Sequence, residues 1–266
     1  MTGELEIKID GKQKIITSGL TYQDLAGEYQ KNFKYPILLA KVGNTYRELN
    51  DYVNNHDEIK FVDLKDSTAN KVYVNALILL ISFTTEKLFG TGSKIFVKHS
   101  IDKGIYITTN FELTKKKLNL LKDRMNDYVN DSLPITKCRV LRKEAIEYYK
   151  NKKDTSKVNL LKYNTHQHIT LYKLGSVYDY FFSLMPNTTG VLKSFDLHYI
   201  NERGFVLLFP TIYSDGIKEY THHPMLFEVF NEYNKWADIM KIGNVPDLNK
   251  VISSGRADDI IRIENT

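Results

Sequence analysis

The first thirty residues contain two segments with a strand-like pattern of apolar residues, followed by one segment with a helical pattern. Polar and apolar residues alternate over residues 4–9, Asp10-Gly11-Lys12 favours a tight turn, and residues 14–17 resume the alternation. This arrangement predicts a β-hairpin. A helix is predicted next, with Thr21 as its N-cap and Asp24 in its first turn. Its apolar stripe, which a sheet would cover, consists of Tyr22, Leu25, Ala26 and Tyr29.

Two further apolar segments complete this N-terminal part. Residues 36–42 predict a buried strand that ends at Gly43-Asn44, and residues 58–62 predict another strand. The resulting order, β-β-α-β-β, is that of a β-grasp. We therefore predict a first domain over residues 1–66.

The middle of the chain predicts a longer α+β domain over residues 67–212. Residues 73–89 are apolar nearly all round, which is typical of a buried helix, and residues 113–129 have one apolar face. That face consists of Leu118, Leu121, Met125 and Val129. Residues 142–150 predict a short helix and residues 151–157 a solvated loop. Strands are predicted at residues 94–99, 104–108, 136–141, 167–173, 192–199 and 204–209.

Residues 213–266 predict a helical segment. His222-His223, which precede Pro224, are predicted to form a loop before a helix over residues 225–240. The apolar side of that helix consists of Leu226, Val229, Phe230, Tyr233 and Trp236. An uncovered apolar face of this kind favours a homo-oligomer, because a second copy would remove Phe230 and Trp236 from water.

Composition narrows the class of protein. The 266 residues suffice for about two domains, and 42% apolar residues can form a real core in each. The single cysteine, Cys138, cannot make an internal disulfide, and no signal-type N-terminus is present, so we expect a cytoplasmic protein. The longest apolar run, residues 74–83, is shorter than the ~20 residues of a spanning helix, so we expect no membrane partner.

Charge is distributed unevenly along the chain. The net charge of +5 divides into −2 for residues 1–66, +10 for residues 67–212 and −3 for residues 213–266. Only 7 of the 37 cations are arginines, which make the bidentate phosphate contacts. This composition favours diffuse attraction to anions over specific readout of a nucleic acid.

A first family resemblance is carried by the N-terminal domain. The run VGNTYRELNDYVNNHDEIKFVD, which follows a hairpin and a helix that begins TYQDLA, resembles a TGS domain. This small β-grasp module occurs at the front of threonyl-tRNA synthetases and of some GTP-binding and stringent-response proteins. The resemblance covers residues 3–64. It implies an adaptor without catalytic residues.

A second resemblance covers about 110 residues of the middle domain. It consists of six pieces: LFG at 88–90, DKGIYI at 102–107, FELTKKKLNLLKDRMND at 111–127, LPI at 133–135, RKEAIEYY at 142–149 and TTGVLKSFDL at 188–197. In this order, the pieces are similar to the second additional domain of threonyl- and alanyl-tRNA synthetases, where that domain hydrolyses mischarged aminoacyl-tRNA.

The resemblance also locates the positions where that family performs its chemistry. Its members need a His-x-x-x-His pair and a Cys-x-x-x-His pair to order a water against an ester. Counted from Gly90, the first pair falls on Asn75 and Leu79, and counted from Gly190, the second falls on Phe181 and Met185. We therefore predict no metal and no catalytic residue here. The vestigial pocket is expected to be filled as core, with an adapted ligand pocket as the alternative.

Histidine and cysteine residues elsewhere offer weaker candidates. His166 and His168 are two residues apart on a predicted strand, where they would share a face and could supply two metal ligands or relocated residues of an aminoacyl-tRNA deacylase. A solvated strand edge explains them more simply. Cys138 is predicted to be a half-buried strand residue, with a reactive thiol as the alternative.

A basic stretch follows the second matching helix. Residues 137–162 contain nine cations against three carboxylates, with Tyr148, Tyr149 and Tyr163 between them. Such a pattern is typical of a path for a nucleic-acid backbone, although a solvated helix and loop would have the same composition. The candidate RNA- or anion-binding residues are Lys137, Arg139, Arg142, Lys143, Lys150, Lys152 and Lys153.

A third resemblance lies in the last fifty residues. The text LFEVFNEYNKW followed by NVPDLN is similar to the junction region of bacterial nucleoside kinases of the uridine kinase and phosphoribulokinase type, which have TGS and synthetase-like domains in front of a P-loop kinase. The phosphate loop G-x-x-x-x-G-K-[ST] is not found in this sequence, since Gly90-Thr91-Gly92-Ser93-Lys94 has its lysine in the wrong place. ATP and Mg²⁺ are expected only for that absent kinase domain.

These observations predict a non-catalytic binding or regulatory region. In the leading hypothesis it couples an RNA or small-molecule signal to its own C-terminal kinase domain, which would phosphorylate a nucleoside such as uridine. Two alternatives remain open: an RNA-binding module for tRNA, and an aminoacyl-tRNA deacylase that uses relocated residues.

Overall fold

The computed structural model describes residues 3–221, 225, 232, 239 and 245–255. These residues belong to two compact units, of which the first comprises residues 1–138 and 171–220 and the second residues 139–170 and 221–266. This division differs from the three segments predicted from the sequence. Nearly all of the predicted helix at 225–240, including Leu226, Val229, Phe230, Tyr233 and Trp236, lies outside the described residues, as do His222 and His223.

The first unit begins with a β-grasp. Its mixed sheet has the order β2-β1-β5-β3-β4, in which β1 and β5 are parallel and the other neighbours antiparallel. The elements are β1 (Glu4–Ile9), β2 (Lys12–Thr17), α1 (Tyr22–Tyr29), β3 (Leu39–Val42), β4 (Thr45–Glu48) and β5 (Glu58–Val62).

The local sequence explains where these elements begin and end. Asp10 and Gly11 have φ of 49° and 78°, which allows the tight turn between β1 and β2. Thr21 caps α1 in a reciprocal capping box with Asp24, as the sequence predicts. The strand predicted at 36–42 begins only at Leu39, because the Gln30 side chain accepts a bond from the Ile37 N–H and donates to the Tyr35 carbonyl.

Two helices, a second sheet and strand β10 follow in the first unit. The sheet is antiparallel throughout, with the order β11-β12-β7-β6. Its core contains the predicted apolar face of α3, and α2 passes through the same core. The elements are α2 (Ser67–Phe89), β6 (Ile95–Ile101), β7 (Gly104–Thr109), α3 (Lys115–Asn130), β10 (Val177–Asp179), β11 (Asp196–Asn201) and β12 (Gly204–Leu208).

Helix α2 begins six residues before the predicted start, because Asp66 caps it. The Asp66 carboxylate accepts bonds from the N–H groups of Thr68 and Ala69, at 2.8 and 3.0 Å, and a bond from the Tyr46 hydroxyl of β4 at 2.9 Å. Among the described residues, α2 is the one helix that is long and apolar enough to cross a membrane. The apolar run at 74–83, on which the expectation of no membrane partner was based, covers only part of this helix. Most of it is buried inside the fold, as in a core helix.

Within residues 139–170 and 245–255, the second unit contains three helices. Strands β8 (Ile135–Leu141) and β9 (His168–Leu174) pair in a sheet with the order β10-β9-β8, and the boundary between the units falls within both strands. Helices α4 (Arg142–Asn151), α5 (Thr155–Lys162) and α6 (Val245–Ser253) follow, and α6 lies against α5. The prediction of a loop over residues 151–157 is wrong at its end, because the Asp154 side chain caps α5 and Val158 and Leu161 are buried.

Candidate functional site

The four positions that the resemblance assigns to the hydrolytic residues of editing domains are joined by contacts in the first unit. Asn75 and Leu79 are one turn apart on α2, and Phe181 and Met185 follow β10. Leu79 is 0% and Met185 2% exposed, both within one hydrophobic core, and Phe181 packs against that core. The Asn75 amide donates a bond of 2.6 Å to the Ser183 hydroxyl, which joins α2 directly to the segment around residue 183.

The side chains at these positions offer little chemistry. Leu79 and Phe181 can neither ligate a metal ion nor carry a proton, and the amide of Asn75 is engaged with Ser183. Within the described part of the chain, no group of three or more His, Cys, Asp or Glu residues could hold a metal ion. None of these four side chains can therefore act as a general base.

One buried carboxylate beside these positions was not predicted from the sequence. The Glu48 carboxylate at the end of β4 is buried and accepts a bond of 2.5 Å from the Tyr172 hydroxyl and one of 3.1 Å from the Met185 N–H. Burial and then the hydrogen bond to Glu48 raise the pKa of Tyr172, which holds its phenol protonated. The strand alternation places Glu48 on the same face as Tyr46, but only the tertiary fold brings its partners to it.

Lys137 is exposed on β8 and its charge also reaches this network. Its ammonium lies 3.1 Å from the second oxygen of Glu48. A carboxylate that is taken out of water needs a partner of opposite charge, and Lys137 supplies it. The candidate RNA- or anion-binding role of Lys137 stays a prediction, and its ion pair with Glu48 adds a structural role in the first unit.

The remaining predicted cations lie in the second unit, on a feature that we call the basic hairpin: the end of β8, α4 and α5, residues 139–162. Arg139, Lys143, Lys150 and Lys153 are exposed, and Arg142 and Lys152 are half-buried. Lys143 and Lys150 are seven residues apart on α4 and so share a face. Glu147 lies between them in sequence and 3.6 Å from the Lys150 ammonium. The Arg142 guanidinium donates to the Asn164 carbonyl, which fixes the end of α5.

The tyrosines of the basic hairpin are not equivalent. Tyr149 is 2% exposed, so the prediction that it could stack on a nucleic-acid base is wrong. Tyr148 packs edge-on against it, with ring centroids 5.1 Å apart, and the Lys157 ammonium lies 5.2 Å from the Tyr149 ring centre. Tyr163, just after α5, is exposed and could meet a base.

The histidine pair is not organised as a site. His166 precedes β9 and His168 is its first residue, so the two do not share a strand face as predicted. Both are exposed, and the His166 N–H donates to the Asn164 side chain at 2.9 Å. Cys138 is half-buried on β8.

The fold defines a class: an α+β chain in which a β-grasp precedes a buried helix and a four-stranded antiparallel sheet. The sequence is similar to the N-terminal region of threonine–tRNA ligases. It is 24% identical over 178 residues to that of Finegoldia magna, 26% over 192 to that of Halalkalibacterium halodurans and 24% over 199 to that of Thermotoga petrophila.

The similarity covers most of this chain but a small part of each ligase. The alignments cover 65%, 71% and 73% of this chain, but only 28%, 30% and 30% of the three ligases, so the chain spans less than a third of the length of these relatives. No family model matches the chain. The predicted α+β class and the resemblance to threonyl-tRNA synthetases are confirmed, and none of these relatives supports the predicted kinase parent.

Proposed function

We propose that this chain is a tRNA-binding region that does not hydrolyse aminoacyl-tRNA. The observation that carries the proposal is the combination of similarity to threonine–tRNA ligases with buried Leu79 and Met185 at the hydrolytic positions. A region that resembles a tRNA-dependent enzyme but offers no base at these positions can recognise the nucleic acid without reacting with it.

The basic hairpin is the surface that we assign to tRNA. It contains eight cations against three carboxylates over residues 139–162. Exposed lysine and arginine side chains attract phosphates without reading bases, and the counterions that they displace make binding dependent on salt. For three phosphate contacts, the slope of log K against log salt contains a contribution of roughly −2 to −3.

The test is a titration of fluorescently labelled tRNA, followed by anisotropy at several salt concentrations. The triple variant R139Q/K143Q/K150Q is compared with the control K12Q/K60Q/K116Q, which removes three exposed positive charges from the first unit. We expect the hairpin variant to bind tRNA roughly tenfold more weakly at low salt. Its slope of log K against log salt should be shallower by about 2 to 3. Equal losses in both variants, or no binding by the unaltered protein, would contradict the proposal.

Hydrolysis is tested separately with mischarged threonine-specific tRNA. We expect deacylation at the rate seen without protein. A faster rate would support the deacylase alternative, and loss of that rate in H166A/H168A would assign it to the relocated histidines.

The nucleoside-kinase parent is a finer hypothesis that rests on residues 225–250 alone. None of the relatives named above supports it, and a tRNA-binding region is equally consistent with a ligase-like protein. Sequencing the gene beyond residue 266 would decide the matter, since the kinase hypothesis requires a G-x-x-x-x-G-K-[ST] loop there.

A further inference from the structure

A second basic feature lies in the first unit, beside the first turn of α2. It is a cleft of about 500 Å³ between the first turn of α2, the turn from β6 to β7, and the segment after β12. Lys71, Lys103 and Lys218 contribute to its lining, together with Asp102 and Tyr213. We call it the α2 cleft. Its volume falls in the range of sites that hold one small ligand or one nucleotide.

Hydrogen bonds fix the segment that forms one side of the α2 cleft. The Asn70 amide donates to the carbonyls of Leu64 and Pro210, both at 3.0 Å. The Lys65 ammonium donates to the Ser214 carbonyl at 2.8 Å, and the Gly216 N–H donates to the Tyr35 hydroxyl at 3.0 Å. The segment is thus bound to α2 and to the β-grasp, so that the cleft exists before any ligand arrives.

The charge of the α2 cleft favours an anion. Within residues 3–221, neither Lys71 nor Lys218 lies in an ion pair with a carboxylate. Lys103 lies 3.6 Å from Asp102, the single carboxylate in the lining. Three ammonium groups against one carboxylate leave an excess of two positive charges, and lysine binds phosphate as a point charge.

An exposed aromatic ring adds a second type of contact. Tyr213 lines the α2 cleft and is 91% exposed, in a segment that the bonds of Ser214 and Gly216 hold in place. A flat ring beside lysines is the combination on which single-stranded nucleic acids bind, with bases on the ring and phosphates at the cations.

We propose that the α2 cleft binds one or two nucleotides of a single-stranded part of tRNA, with phosphate at Lys71, Lys103 and Lys218 and a base stacked on Tyr213. This inference rests on the proposed function, since it adds a second contact for the same ligand. The basic hairpin supplies diffuse attraction, whereas the α2 cleft supplies a defined position for an unpaired nucleotide.

Stacking is tested by Tyr213→Ala and Tyr213→Phe in the same anisotropy titration. We expect the alanine variant to bind tRNA roughly tenfold more weakly, since stacking on an aromatic ring is lost, and the phenylalanine variant to bind like the unaltered protein. The phosphate contacts are tested by K71Q/K103Q/K218Q against K12Q/K60Q/K116Q. We expect the slope of log K against log salt to be shallower by about 2 to 3 in the lysine variant than in the control variant. Circular dichroism checks that each variant is folded.

The outcomes separate this inference from the proposed function. If the unaltered protein does not bind tRNA, the proposed function fails. If tRNA binds and the hairpin variant weakens it while the Tyr213→Ala and lysine variants do not, only the α2 cleft assignment is overturned. Thermal stabilisation by inorganic phosphate, with tRNA affinity unchanged in the lysine variants, would likewise overturn it, because the cleft would then be a site for free phosphate.

Discussion

The buried carboxylate of Glu48 gives the sharpest prediction about stability. In Glu48→Ala, the Tyr172 hydroxyl and the Met185 N–H lose their acceptor while both residues stay buried. A buried donor without a partner costs about 1–3 kcal/mol, so two of them should lower the free energy of unfolding by about 2–6 kcal/mol. Lys137 adds less, because its ammonium can turn to water.

Two further variants divide this effect. Tyr172→Phe removes one donor and leaves Glu48 with Met185 and Lys137, so we expect it to cost about 1.5–3 kcal/mol. Glu58→Ala is the matched control, because Glu58 also pairs with a lysine, Lys8 at 2.8 Å, but on the surface.

The assay is equilibrium unfolding in urea, followed by far-ultraviolet circular dichroism. We expect the largest loss of unfolding free energy for Glu48→Ala, a smaller one for Tyr172→Phe and the smallest for Glu58→Ala. A loss for Glu48→Ala of less than about 1 kcal/mol, or one equal to that of Glu58→Ala, would refute the idea that this carboxylate satisfies buried donors.

Three other perturbations test the core and its pH response. Gly104→Ala would place its Cβ 2.5 Å from a backbone carbonyl of β12, so we expect a loss of about 1–3 kcal/mol on thermal unfolding, whereas Gly92→Ala meets nothing within 4 Å and should melt unchanged. Leu79→Ala should cost about 2–5 kcal/mol if this position is filled core. Burial lowers the pKa of His99, so stability should fall as pH drops below the unfolded value near 6.5, and urea titrations of His99→Gln should show a flatter profile.

Local signals explain which parts of the fold could be predicted. The capping box of Thr21 and Asp24 and the apolar face of α3 are encoded within a few residues, and both are found where the sequence places them. Strand β4 was missed because four residues carry too little alternation. Helix α5 was missed because its cap, Asp154, follows a run of polar residues that is typical of a loop.

Less of the candidate site than of the fold could be predicted from the sequence. Counting from glycine landmarks placed Leu79 and Met185, which the fold brings into one core. The hydrogen-bond partners of these positions could not be located by counting along the sequence. The bond from Asn75 to Ser183 joins residues 108 positions apart, and the bond from Met185 to Glu48 joins residues 137 positions apart. Such contacts follow from the packing of whole elements, and no short pattern encodes them.

Asp66 has a practical consequence for anyone who dissects this protein. The residue stands at the predicted boundary between domains, yet its carboxylate serves both sides, the Tyr46 hydroxyl and the first N–H groups of α2. A gene cut after Asp66 would leave its carboxylate with the Tyr46 phenol and take it away from α2, so that the second fragment would begin with a frayed core helix. The two parts should be expressed together, and a hydrogen-exchange experiment should find the start of α2 protected only in the longer chain.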